Sequence, residues 1–169
     1  MGWFALATWA LVLIIVNLNA RGPSMWFAAS AAPALDVRPL LTVEGEEIGL
    51  LAGDSTIAIL VLTAECPICQ LEAPSYHHVE ESIRSSNAAF RVLIASNGTA
   101  ARQLGARMSV RSPVLVDSMA THASALGVSK IPSFYVFGAG GDLIHSFSPF
   151  MLTDSSLTEI SHSIVSISR

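Results

Sequence analysis

The sequence predicts an α/β domain over residues 37–169, a mixed central sheet with helices on both faces, preceded by a linker over residues 28–36 and one N-terminal transmembrane helix within residues 1–27. Three observations lead there. The chain has 169 residues, close to one ordinary domain of roughly 100–200 residues. From residue 56 onward, short apolar runs alternate with helical patterns in the order βαβα…ββα, which a sheet covered by helices on both faces produces. Finally, the charge is unevenly placed: Arg21 is the single ionisable side chain in residues 1–34, and every acidic group lies beyond them.

Composition narrows the function classes. With 9 basic and 13 acidic residues the net charge is −4, only 13% of residues are charged, and 51% are hydrophobic, for a mean hydropathy of +0.55. Such a chain is too apolar to be disordered and too acidic for a typical nucleic-acid binder. Two cysteines exclude a disulfide-dense scaffold and a four-cysteine zinc site, so any thiol chemistry rests on one pair.

Each element has a local cause. Residues 56–63 (TIAILVLT) have the length and apolarity of a strand buried on both faces, and a helical stretch follows over residues 67–86. Pro74 lies inside that stretch and must kink it, because proline removes an i to i−4 hydrogen bond. Residues 90–96 (FRVLIAS) form a second buried strand, and the Asn97-Gly98-Thr99 turn leads into a weaker helix over residues 100–108. Residues 113–116 are a short strand and residues 118–126 a short helix capped by Asp117 or Ser118. Residues 133–137 and 143–147 flank Gly138-Ala139-Gly140-Gly141-Asp142 and read as an antiparallel hairpin, since the glycines can take positive φ in the turn. Residues 152–167 carry Leu157, Ile160, Ile164 and Ile167 at helical spacing and predict an amphipathic closing helix.

Residues 3–16 (WFALATWALVLIIV) hold no charge, and the apolar character resumes at residues 25–29. A helix from Trp3 to Trp26 would rise roughly 35 Å, enough to set an indole near each membrane interface. A cleaved signal peptide is the competing reading, with Ala28-Ala29-Ser30 or Ser30-Ala31-Ala32 as the small-residue site, although no positive leader precedes it. Arg21 alone would favour a cytoplasmic domain.

The strongest chemical signal is Cys66-Pro67-Ile68-Cys69, at the junction of a buried strand and a helix. Pro67 suits the first helical position, which sets Cys66 at the N-cap, where unpaired backbone N–H groups and the positive dipole end favour a thiolate. Cys66 is therefore the candidate nucleophile, and Cys69, one turn later on the same face, the cysteine able to resolve a mixed disulfide. Glu65 opposes the thiolate by its charge. Glu72, three residues after Cys69, is either a buried acid that relays the Cys69 proton or a partly solvated helix residue. Ile131-Pro132 opens a later strand: a cis bond there, beside the cysteine helix, would leave the Ile131 backbone free to pair with an extended substrate, and the alternative is an ordinary strand-edge proline. Lys130 either attracts Glu65 or a substrate carboxylate, or is a solvated loop lysine.

On these residues the chain resembles the membrane-anchored thioredoxin-like proteins of the TlpA/ResA class. The resemblance is carried by Glu72 and Pro74 in a C-x-x-C-x-x-E-x-P run, by Gly127-Val128 followed by Ile131-Pro132 at the cis-proline position, and by Gly140-Gly141. Within that class it is most similar to the MauD (methylamine-utilisation) branch, in Ala32-Pro33-Ala34-Leu35, in residues 92–98 (VLIASNG) and in Lys130-Ile131-Pro132. The resemblance implies a thioredoxin fold, a domain held outside the cytoplasm (periplasmic), and thiol–disulfide exchange with protein disulfide or dithiol substrates. It also implies a membrane thiol redox partner that resets the pair, and no cofactor or metal beyond the Cys66–Cys69 disulfide. For the MauD branch it implies maturation of a disulfide-containing or cofactor-containing enzyme. The implied topology overrides the Arg21 argument. Glu65 departs from the pattern, standing where such sites often carry tryptophan.

Two other readings compete. Thr63-Ala64-Glu65-Cys66 has the T-x-x-C spacing of a thiol peroxidase of peroxiredoxin-like type, in which a hydroxyl orients the peroxide, although Ile59 stands where that pattern wants proline. A non-catalytic copper-binding module would use Cys66 and Cys69 with His77 or His122, since soft thiolates suit Cu(I). A purely structural disulfide closes too small a loop to add much stability. The glycines at 138–141 precede no helix and so form a turn rather than a phosphate cradle, and the Asn97-Gly98-Thr99 sequon reads as a helix entry.

Overall fold

The computed structural model describes residues 38–51 and 55–148, together with Thr158, His162 and Ile164. The anchor and linker expected over residues 1–36 lie outside the described residues, among which no helix is long and apolar enough to cross a membrane.

Seven strands form one sheet. In chain order they are β1 (Leu40–Thr42), β2 (Glu47–Ile48), β3 (Ile57–Leu62), β4 (Ala89–Ile94), β5 (Val114–Val116), β6 (Ser133–Phe137) and β7 (Leu143–Phe147). In space the order is β2-β1-β5-β4-β3-β6-β7. β3 lies parallel to β4 and antiparallel to β6, and β4 is parallel to β5, so the sheet is mixed as expected. The helices are α1 (Pro67–Glu72), α2 (Tyr76–Arg84), α3 (Gly98–Met108) and α4 (Thr121–Ala125), with a 3-10 turn at Ala73–Ser75.

Alternation along β3 divides the core in two. Ala58, Leu60 and Leu62 face the layer that holds Cys69, Ala73, Tyr76, Val79 and Leu104, whereas Ile57, Ile59 and Val61 face the layer that holds Leu50, Ala123 and Leu126. All six residues of β3 are buried, so each large aliphatic among them contributes about 1.5–3 kcal/mol by leaving water. Helices on both faces follow from strands that are apolar on both faces.

Several boundaries differ from the expectations, each for a local reason. The 67–86 stretch divides at Pro74 into α1, the 3-10 turn and α2, the form that the expected kink takes. The β1–β2 hairpin has no counterpart in the sequence pattern, because strands of three and two residues are too short to display a period. α4 starts at Thr121 rather than near residue 118, since Ala120 takes a left-handed φ of 52°. Asp117 still caps it from four residues upstream, accepting from the Thr121 N–H (2.9 Å) and the Ala123 N–H (2.8 Å). In the hairpin, Gly141 takes a φ of 82°. Of the closing helix, Thr158, His162 and Ile164 are helical and Ile164 is buried in the Cys69 layer; its other residues lie outside the described ones.

One buried carboxylate ties α2 to the segment entering β5. Glu80 on α2 is 4% exposed and accepts hydrogen bonds from the Arg111 N–H (2.8 Å) and the Ser112 hydroxyl (2.6 Å), with Arg84 at 3.8 Å. Burial pushes its carboxyl up, but the hydrogen bonds and the arginine outweigh it and hold the group below its ordinary value. A lowered folded value stabilises the protein above the unfolded carboxyl range, near pH 4.3, and this contribution fades as pH falls through the folded value. Glu80→Gln is expected to cost about 1–3 kcal/mol at pH 7 and to flatten the acid limb of stability against pH, measured by urea unfolding at a series of pH values.

Candidate active site

Register brings three chain segments to one edge of the sheet. Leu62 pairs with Ile94 in the parallel ladder, and Val61 pairs with Ser133 in the antiparallel one. The residues leaving β3 (Thr63 to Cys66), those leaving β4 (Ser96) and those entering β6 (Ile131-Pro132) therefore meet beyond the same edge.

Cys66 is the N-cap of α1, with φ −78° and ψ 116°, and Pro67 occupies the first turn. The Cys69 N–H donates to Cys66 Sγ at 3.3 Å, and the Cys66 thiol faces the Ile131 carbonyl oxygen at 3.9 Å. The Ile131–Pro132 peptide bond is cis. Ile131 is partly exposed and Pro132 buried. The two free cysteines differ in environment: Cys66 is partly exposed and Cys69 fully buried. Burial pushes the Cys69 thiol well up from its ordinary value, and the adjacent Cys66 sulfur acts in the same direction.

Glu65 is exposed, yet its carboxylate is held. The hydroxyls of Thr63 and Ser96 both donate to Oε2, the latter at 2.7 Å. These bonds, Thr63 first and Ser96 second, lower its pKa by favouring the ionised form. Ser96 is 6% exposed and also accepts from the Ala64 N–H at 2.9 Å, tying the loop before Cys66 to the end of β4. On α1, Gln70 Nε2 donates to the Ala64 carbonyl (2.5 Å) and Arg107 of α3 donates to the Gln70 carbonyl (2.9 Å).

Other expected residues fall in different places. Glu72 ends α1, 9% exposed, on the buried side of the helix with Cys69. Lys130 is exposed, and among the described residues no ion pair joins it to Glu65. Neither candidate copper histidine is drawn to the cysteines. His77 Nδ1 sits 2.6 Å from the Pro74 carbonyl oxygen, and His122 lies on α4, whose Ala123 packs in the layer across the sheet from Cys69. Among the described residues no group of three or more His, Cys, Asp or Glu side chains could hold a metal ion. Two site residues escaped the sequence reading. Ser96 meets Glu65 only across the sheet, with no local signal, whereas Tyr76 could have been found from the helical spacing of Cys69, Ala73 and Tyr76.

Ser96→Ala is expected to raise the Glu65 titration toward its ordinary value, because it deletes one donor to the ionised form; a carboxylate-resolved NMR titration measures the change.

Comparison with known proteins agrees with this architecture. No curated protein sequence matches the chain. Among solved structures it is similar to a secreted Mycobacterium tuberculosis disulfide oxidoreductase homologous to E. coli DsbE, at 17% identity and a TM-score of 0.63, over 77% of this chain and 96% of that one. It is likewise similar to StoA from Bacillus subtilis (18% identity, TM-score 0.62, 78% of this chain and 98% of that one). A third similar structure is Xanthomonas campestris peroxiredoxin Q (12% identity, TM-score 0.66, 82% and 99%). At these identities the likeness is one of fold, the thioredoxin-like mixed sheet with flanking helices. The Redoxin family model matches residues 28–160. Because that stretch takes in the whole described sheet and the Cys66–Cys69 helix, the chain belongs to the Redoxin family.

Proposed function

We propose that the chain is a thiol–disulfide oxidoreductase that exchanges disulfides with protein partners outside the cytoplasm, tethered to the membrane by its N-terminal segment. The observation that carries this reading is the pairing of a partly exposed Cys66 sulfur, beside the Ile131 carbonyl, with a buried Cys69 one turn along the same helix. Membership of the Redoxin family supports the chemistry. The resemblance to the TlpA/ResA class and its MauD branch, together with the apolar N-terminal segment, supports the location and a role in maturing a disulfide-containing or cofactor-containing enzyme.

In the reducing direction, Cys66 attacks one sulfur of a substrate disulfide, forming a Cys66–substrate disulfide and releasing the other substrate sulfur as a thiolate. Ile131, whose carbonyl faces Cys66, presents its backbone to the extended substrate, and Pro132 holds that segment in place. Cys69 then gives up its proton, with Glu72 as the relay, and attacks the Cys66 sulfur. A Cys66–Cys69 disulfide forms and the second substrate thiolate leaves. The substrate gains two electrons, and a membrane thiol partner restores the pair. The same bonds broken in reverse order oxidise a substrate dithiol. Glu65 keeps a negative charge at the mouth of the site, held there by Thr63 and Ser96. The peroxidase reading is disfavoured by the same contact, because the Thr63 hydroxyl is spent on Glu65.

Cysteine variants assayed on a protein disulfide test this reading. Cys66→Ser is expected to abolish turnover, and Cys69→Ser to accumulate mixed disulfides through Cys66, visible on non-reducing gels and by mass spectrometry; full turnover in Cys66→Ser would overturn the mechanism. Titration of the pair against glutathione or dithiothreitol then gives the direction, a potential near about −270 mV marking a reductant and one near about −120 mV a disulfide donor.

A further inference from the structure

Tyr76 is a buried polar group that the exchange described above leaves unused. It opens α2, its side chain is fully buried, and its hydroxyl oxygen has no hydrogen-bond partner among the described residues. It belongs to the core layer of Cys69 and Ala73, with Cys66 and Ile131 packed against that layer. A phenylalanine would fill nearly the same space without the cost of an unpartnered hydroxyl, so the oxygen itself asks for an explanation. Burial is the largest cause that pushes the phenol well up from its ordinary value, followed by the charges of Cys69, Glu72 and Cys66 and by an interaction of the hydroxyl with the Cys69 side chain that falls short of a formed hydrogen bond. The group therefore stays protonated and serves its neighbours as a donor.

A neutral thiol is a poor acceptor, and a thiolate is a strong one. The resolving step needs a thiolate on Cys69, the sulfur that is shut away from water. Resting on the exchange mechanism proposed above, we infer that the Tyr76 hydroxyl is the donor that receives this thiolate. As the Cys69 proton passes to the Glu72 carboxylate, the phenol O–H turns onto Cys69 Sγ and holds the charge while that sulfur attacks Cys66. The Cys69–Cys66 bond forms, the Cys66–substrate bond breaks, and the electron pair leaves on the substrate thiolate, with no outside oxidant or reductant. In the unreacted dithiol the hydroxyl already acts on the Cys69 side chain without a full hydrogen bond, and the thiolate is what draws it in.

Stopped-flow reaction of the reduced full-length chain with 5,5′-dithiobis(2-nitrobenzoate) separates the two steps. The first nitrothiobenzoate released reports attack by Cys66, and the second reports resolution by Cys69. Tyr76→Phe is expected to leave the first phase unchanged, to slow the second about ten-fold, and to move the pH midpoint of the second phase up by about one unit, the loss of one hydrogen bond to a charged group. Difluorotyrosine at position 76, a stronger donor of similar size, is expected to keep the second phase and lower its midpoint. A second phase with the same rate and midpoint in both variants would overturn the inference, whatever their melting temperatures. Failure of the unaltered chain to release the second equivalent would instead remove the exchange mechanism on which the inference rests.

Discussion

The structure depends on the complete burial of β3 between two sheet neighbours and two helical layers. A backbone with no access to water must satisfy its N–H and C=O groups within the sheet, and β3 does so by pairing with β4 on one side and β6 on the other. Slipping either ladder by one residue would turn the inward set Ala58, Leu60 and Leu62 toward the opposite layer, so register is strongly held. The active edge is a by-product of that register. Parallel pairing carries Ser96 to the end where Thr63 emerges, and antiparallel pairing brings the start of β6, with Ile131 and Pro132, to the same place.

At that edge the two sulfurs are given opposite surroundings. Cys66 stays within reach of solvent, with a backbone N–H on one side and a carbonyl on the other. Cys69 is closed off beneath the helix, where charge is disfavoured. In the proposed exchange this asymmetry, rather than the C-x-x-C spacing alone, would order the steps, with the accessible sulfur meeting the partner and the buried one acting on its neighbour. The backbone groups of Thr63 and of Cys69 itself oppose the burial penalty in part, and in the proposed exchange Glu72 and Tyr76 would share the burden of the buried thiolate.

The helix that bears the pair is itself built in pieces. Pro74 ends α1 after Glu72 and a 3-10 turn re-aims the chain into α2, which lets Tyr76 return to the Cys69 layer and sets Glu80 against the segment entering β5. Gln70 and Arg107 tie α1 to α3 from the other side. The cysteine helix is thus tied to α3 through Arg107 and to the loop before Cys66 through Gln70.

Much of the fold is legible in short windows of chain. The apolar run of β3, the proline that starts α1, the Asn97 side chain that caps α3 at the Ala100 N–H (3.0 Å) and the glycine-turned hairpin all follow from preferences acting over about ten residues or fewer. The cysteine pair and the proline at 132 were visible for the same reason. Only the assembled sheet sets the Ile131 carbonyl beside Cys66 and lets Ser96 hold Glu65. Those contacts join residues 65 and 31 positions apart, respectively. They are products of strand order and register, which the whole core settles collectively and no local window contains.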